Sequence, residues 1–222
     1  MHLANCAGAW GSGFLNTGGI RGNVTMTCSM VVNSKSGNTR MVSGAIKRAL
    51  ATAGVEFIHA AALGDQMDSA QVELEAREAA RADVVLVGFW CDKGTCTPAV
   101  ASLLAQLSGK RVFLFGTCGF GNDEAYYKQI IDRVSSNLPM DATLCGWAMC
   151  QGKMGPAVRE RYEAMLDDNP EDERIRMLIE NFDVAKSHPT KEDLEHMAAA
   201  AKKAVLGEWR RRSPMHCDMT SD

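Results

Sequence analysis

The sequence holds no apolar run near the roughly 20 residues that cross a bilayer, and its eight cysteines include no C-x-x-C pair. Met1 to Arg21 is rich in glycine, alanine and asparagine and lacks the basic-then-apolar order of a secretory leader. A disulfide scaffold needs a short secreted chain, so these thiols predict a chain kept reduced in the cytoplasm. Charge of one sign is missing too: 24 Lys+Arg against 27 Asp+Glu leaves −3, which argues against wholesale nucleic-acid binding. Aromatic residues make up only 6%. His2, His59, His188, His196 and His216 form no H-x-x-x-H or H-E-x-x-H pair, so no metal site is predicted. Neither a G-x-x-x-x-G-K-[ST] loop nor a strand-borne G-x-G-x-x-G is present, and no internal repeat is visible.

What remains is a globular composition, 46% hydrophobic and 23% charged, at a length suited to one domain. Residues 1–120 balance at +2 and 121–222 at −5, so an acidic docking face would draw on the second half. Apolar runs alternate with helical periodicity from Met26 onward. Strands are predicted at 26–32, 55–60, 83–89, 111–115 and 142–149. Helices are predicted at 39–53, 69–81, after Pro98, at 124–138 and at 156–166. This βα alternation predicts an α/β three-layer sandwich around a parallel sheet. Two further amphipathic stretches, 171–186 and 191–206, form a C-terminal helical extension over 169–208. Thr190 and Asp193 read as a capping-box variant at the second of them. In these two stretches Met177, Leu178, Phe182, Leu194, Met197 and Ala201 read as intramolecular packing. Residues 1–25 read as an unstructured extension and 209–222 as a flexible tail.

Ligands of such sheets bind at the carboxyl ends of the strands, where strand order reverses. After the first strand comes Asn33-Ser34-Lys35-Ser36-Gly37-Asn38-Thr39. Its hydroxyls and tight glycine turn lead into a helix N-terminus, an arrangement that suits phosphate and equally an ordinary capped turn. After the third strand, Trp90 offers a flat face for stacking, or else a core aromatic closing the sheet edge. After the fourth, Gly116-Thr117-Cys118-Gly119-Phe120-Gly121 would let backbone approach a ligand, or is simply a flexible turn. The three loops converge on one crevice suited to a phosphate, a chain and a planar ring. Cys91, Cys96 and Cys118 near the same edge keep an iron–sulfur or redox-thiol centre as a rival, against their spacing.

Ser34-x-Ser36-Gly37-Asn38-Thr39, directly after CSMVV, resembles the phosphate loop (S/T)-x-(S/T)-G-N-T of the flavodoxin-like family. Gly88-Phe89-Trp90, Phe115-Gly-Thr117 and Cys150-Gln-Gly-Lys153 are similar to a branch that includes the BilS-type flavodoxins associated with bilirubin reductase. The resemblance covers about residues 26–166 and runs on through His188-Pro189 and the last helix. It implies a flavodoxin-like, FMN-binding domain over 26–168 with five parallel strands in the order 2-1-3-4-5. Ser34, Lys35, Ser36, Asn38 and Thr39 would hold the FMN phosphate, with Gly37 turning the backbone. Trp90 and the Cys91, Asp92, Lys93, Gly94 and Thr95 backbone would border the flavin ring. Thr117, Cys118, Gly119, Phe120 and Gly121 would line its other side. A carbonyl of the Asp92–Gly94 turn would accept a hydrogen bond from the reduced flavin and favour one-electron steps.

The implied role is electron transfer to a redox partner protein, a reductase or other acceptor. The alternatives are an NAD(P)H-dependent quinone or flavin reductase and a non-enzymatic interaction module. Carriers of this family are usually strongly acidic. A net charge of −3, with Lys35, Arg40 and Lys93 near the crevice, points to a dedicated partner or a small oxidoreductase instead.

Overall fold

The computed structural model describes residues 26–121 and 123–212, with side chains as far as Gly207. The N-terminal extension and residues 213–222 of the tail lie outside those residues. Elements alternate as β1 (Thr27–Val32), α1 (Asn38–Thr52), β2 (Glu56–Ala62), α2 (Ser69–Ala79), β3 (Val84–Trp90), α3 (Pro98–Leu104), β4 (Arg111–Cys118), α4 (Glu124–Ser135) and β5 (Thr143–Gln151). Three helices follow: α5 (Pro156–Asp168), α6 (Glu173–Ala185) and α7 (Lys191–Arg212). The strands form one parallel sheet in the order β2-β1-β3-β4-β5. This is the predicted doubly wound topology, with the order reversing at β1/β3.

Burial follows position in the sheet. Central β3 is buried from Val84 to Phe89, whereas edge strand β2 has no fully buried residue and alternates along its length. One core layer joins Val87, Phe89 and Leu114 to α2, α3 and α4, through Val72, Leu103 and Ile130. The other joins Leu86 and Phe113 to Ile46 and Leu50 of α1 and to Met197, Ala201 and Val205 of α7. Two aromatic rings cross-cover glycines on neighbouring strands. Phe115 lies over Gly88, and a Cβ on Gly116 would stand 2.7 Å from Phe89 Cζ. Gly116 therefore makes room for the Phe89 ring, and β4 runs on through Cys118, three residues past the predicted strand end.

The helix that completes the second layer is α7, not α5. A Cβ on Gly146 of β5 would stand 2.8 Å from Ala204 Cβ, so this alanine-rich helix sits directly on the sheet. Only Tyr162 of α5 is buried, and α5 pairs with α6 instead. α7 thus packs in the same sandwich as the expected 26–168 domain, and it continues to Arg212, past the predicted end at 206. Its start carries the predicted capping box: Asp193 N donates to Thr190 Oγ1 at 3.1 Å and Thr190 N to Asp193 Oδ2 at 2.7 Å. α2 has one too, formed by its N-cap Asp68 with Gln71. Of the side chains expected inside α6 and α7, Phe182, Met197 and Ala201 are buried, whereas Met177 is 65% exposed.

Candidate functional site

α1 begins where β1 ends, and Gly37 at its N-cap has φ 89° and supplies no side-chain cap. A glycine is needed there because the left-handed region strains other residues. The first turn of α1 therefore presents backbone N–H groups and the positive end of the helix dipole to the crevice. Ser34 Oγ accepts from Arg40 N at 3.3 Å. Asn38 Nδ2 donates to Ser36 Oγ at 3.0 Å and to the Lys153 carbonyl at 2.9 Å. Asn38 Oδ1 is buried without a hydrogen-bond partner, at a residue only 5% exposed. Thr39 differs from its loop neighbours: fully buried, it shares a hydroxyl hydrogen bond with Thr117 of β4 at 2.9 Å. These two predicted cofactor contacts meet each other inside the sheet edge.

Trp90 ends β3 half-buried at the rim, so it is not a core aromatic. Lys35 Nζ stands 4.8 Å from its ring centroid, and Trp90 Nε1 donates at 3.5 Å to Asp65 Oδ1. Asn33 Nδ2 fixes that carboxylate at 2.7 Å. Beyond Trp90 the chain makes a tight reversal. Asp92 and Thr95 exchange backbone hydrogen bonds of 2.8 and 3.0 Å, with Lys93 at φ 51° and Gly94 at φ 82°. Two successive left-handed residues define a type I′ turn. Arg133 of α4 donates to the Gly94 carbonyl at 3.1 Å, so this carbonyl already has a protein partner. Cys91 N reaches the Thr117 carbonyl at 2.9 Å and joins this turn to β4.

The loop after β4 is held from two sides that the sequence did not reveal. The Gly119 carbonyl accepts from Gln151 Nε2 and from Asn181 Nδ2, both at 3.0 Å, and Gln151 also donates to Asn181 Oδ1 at 3.0 Å. A Cβ on Gly119 would stand 2.6 Å from Met154 Sδ, and Gly121 packs against the Gln151 carboxamide. Both glycines make room for protein side chains. Gln151 Oε1 is buried without a partner. Phe120 projects with 39% of its surface exposed.

The residues that sequence reasoning missed are Asp65, Arg133, Met154 and Asn181. Each lies far along the chain from the loop it supports, and no local pattern marks it. Gln151, Gly152 and Lys153 carried a signal only as part of a family-like run. A Cβ on Gly152 would stand 2.6 Å from Asn38 Nδ2, so glycine lets the end of β5 cross the start of α1.

Burial pushes the Cys91 and Cys96 thiols up, and pushes Cys118 up to about 12. Protonated thiols are poor nucleophiles and poor metal ligands, which weakens the redox-thiol alternative. Among the described residues no group of three or more His, Cys, Asp or Glu is placed to hold a metal ion. No described helix is long and apolar enough to cross a membrane. A cavity of about 860 Å³ lies elsewhere, at the outer edge of β5 beside Tyr127, Trp147, His196 and Lys203. Volume alone does not mark a site, and the convergence of donors at α1 outweighs it.

The α1 start with its glycine N-cap, two serine hydroxyls, a lysine and a rim tryptophan suit a phosphate-bearing planar group. A family model described as flavodoxin domain matches residues 29–202. The flavodoxin-like domain-containing protein BilS of Clostridium symbiosum (strain WAL-14163) is 34% identical over 194 residues, covering 82% of this chain and 100% of that protein. The protein of the same name from Clostridioides difficile (strain CD3) is 32% identical over 124 residues, 56% of this chain and 70% of that one. Among solved structures, rubredoxin oxygen:oxidoreductase from Desulfovibrio gigas superimposes with a TM-score of 0.50 at 14% identity. The overlap spans 84% of this chain and 37% of that one. At that identity the likeness concerns the fold alone.

Proposed function

Because the chain belongs to the flavodoxin domain family, whose members bind flavin, we propose that it holds FMN in the crevice between α1 and Trp90 and delivers electrons to a partner protein. The observation that carries this reading is the α1 start. The N-cap Gly37 has no side chain to cap the helix, Ser34 Oγ takes up only the Arg40 N–H at 3.3 Å, and Ser34, Ser36 and Asn38 flank this start, with Lys35 reaching over the Trp90 ring. Backbone N–H groups of the Gly37–Thr39 turn and the two serine hydroxyls would hold the phosphate, with Lys35 adding charge. Trp90, positioned by Asp65, would stack on the ring, and Phe120 would cover its other side. When bound, FMN supplies the electron transfer, and the protein supplies position and electrostatics.

The partner in this reading is a reductase of the bilirubin-reductase type, supported by relatives that carry the name BilS. In this reading the compartment is the cytoplasm, where buried thiols such as Cys28, Cys118 and Cys150 stay reduced. A dedicated carrier transfers electrons only when a separate reductase is supplied, whereas a quinone or flavin reductase would oxidise NAD(P)H by itself.

Titration of the colourless protein with FMN tests the reading. One equivalent should bind with quenching of flavin fluorescence. Ser36→Ala and Trp90→Ala should each weaken binding, Trp90→Ala by roughly fivefold to a hundredfold given about 1–3 kcal/mol for one aromatic stacking contact. A wild-type chain that is colourless as purified and takes up no FMN would leave the Ser34–Thr39 loop as a capped turn, and the reading would fall.

A further inference from the structure

β5 pairs with β4 on one side only, and α5, the helix that follows it, turns away to pack on α6. The opposite edge strand, β2, carries Glu56 and His59, the latter 2.9 Å from Glu75. β5 reads TLCGWAMCQ and has neither a charged residue nor a proline. Charges and prolines are common means of blunting an edge strand, so the outer side of β5 keeps backbone donors and acceptors to offer a ligand.

The cavity of about 860 Å³ runs along this edge. Its size falls among those of small-molecule sites, but the chemistry of its walls says more. Tyr127 of α4 and Trp147 of β5 are half-buried against the core layer and give the rest of their ring surface to the cavity. On α7, the lining residues His196, Ala200, Lys203 and Gly207 recur at i, i+4, i+7 and i+11, a single stripe of the helix. The small residues keep that wall low, and the two basic ones stand at its rim. Among the described residues neither His196 nor Lys203 makes an ion pair. Glu124 lines the cavity from the α4 side, so the two helices face it with opposite charge.

From this arrangement we propose that the β5 edge is a second ligand site, which takes a small planar aromatic molecule bearing a single acidic group, a carboxylate or sulfonate. The acidic group meets Lys203 and His196, and the ring lies against Tyr127 and Trp147. Glu124 supplies selectivity, because a molecule with acids at both ends would set one of them against this carboxylate. The site is separate from the flavin crevice: neither the Ser34–Thr39 loop nor Trp90 lines it.

The test follows the Trp147 indole N–H resonance, identified by its loss in Trp147→Phe, while naphthalene sulfonate is added to the wild-type chain. That resonance should move and saturate, the Trp90 resonance should stay in place, and excess FMN should not reverse the shift. Lys203→Glu should weaken binding roughly tenfold, the usual weight of a charge-assisted contact. Lys202→Glu makes the same charge change on the neighbouring flank of α7, beside Arg48, and should alter affinity little. Both lysines are exposed, so neither change disturbs the core.

A naphthalene disulfonate with acids at opposite ends should bind more weakly than the monosulfonate, and Glu124→Gln should narrow that gap. A wild-type Trp147 resonance that shows no saturating shift would overturn the proposal. Equal losses in the two lysine variants would overturn it too, since they would mean attraction to a basic helix and not to a site. Displacement of the probe by FMN would place it in the flavin crevice, with the same consequence.

Discussion

At the scale of single residues, the crevice is built by pairing side chains whose sequence separation hides the pairing. Thr39 looks like one more phosphate contact in its motif, yet its hydroxyl meets Thr117 and fastens α1 to β4. Asn38 does two jobs at once, bridging Ser36 and the Lys153 carbonyl while its own oxygen stays orphaned. An orphaned buried acceptor costs about 1–3 kcal/mol, a cost that a donor on a bound ligand would remove. Gly94 is the most constrained of these positions. Its φ of 82° strains any other residue, and a Cβ there would stand 2.7 Å from Arg133 Nη1. Gly94→Ala should therefore lower stability by about 1–3 kcal/mol, as strain at a left-handed site adds to displacement of Arg133. Urea denaturation of the two proteins checks this, and equal midpoints would mean that the turn relaxes freely. The Ser34–Thr39 loop was legible because its chemistry is local and contiguous. Asn181 and Met154 were not, because which distant residue reaches Gly119 depends on how α6 and the end of β5 pack.

At the scale of elements, alternation of apolar runs and helical periods sufficed for the five strands and their parallel pairing. It did not tell which helix would cover β5. Periodicity reveals that a helix has an apolar stripe, but not the surface that stripe meets. α5 and α7 both have one, and residue size decides between them. Ala200, Ala201 and Ala204 let α7 approach the sheet where Gly146 leaves space, whereas α5 offers only Tyr162 to the interior. The chain can return to the sheet after α6 because Lys153 N bonds the His188 carbonyl at 3.0 Å and the Thr190–Asp193 box starts α7 there. His188 Nδ1 lies 2.6 Å from the same Asp193 carboxylate, so the box is tied to the linker that precedes it. Thr190→Ala removes one half of this arrangement and should cost about 1 kcal/mol. Thermal or urea unfolding followed by far-UV dichroism reads that loss. An unchanged midpoint would show that tertiary packing alone positions α7.

At the scale of the whole molecule, the buried thiols set an alkaline limit on stability. Cys28 and Cys118 are pushed up to about 12 from an ordinary value near 9, chiefly by burial, and burial pushes Cys150 up as well. A raised thiol pKa means that the folded state holds its proton more tightly than the unfolded chain does. Its stabilising contribution is complete below about pH 9, where both states are protonated. It is then lost as pH rises toward 12, because unfolding releases a proton that folding must recapture. Each such thiol tilts stability by at most about 1.4 kcal/mol per pH unit across that window. The rising negative charge of an already acidic second half acts in the same direction. Urea midpoints measured from pH 7 to 11 should be level to about pH 8.5 and then fall. Cys28→Ala with Cys118→Ala should start from a different midpoint at pH 7 but decline less steeply, since two of the linked protons are gone. Parallel curves for variant and wild type would show that the loss comes from general charge repulsion and not from the buried thiols. A shallower curve would place part of the alkaline limit at Cys28 and Cys118, the second of them beside the loop that borders the proposed flavin site.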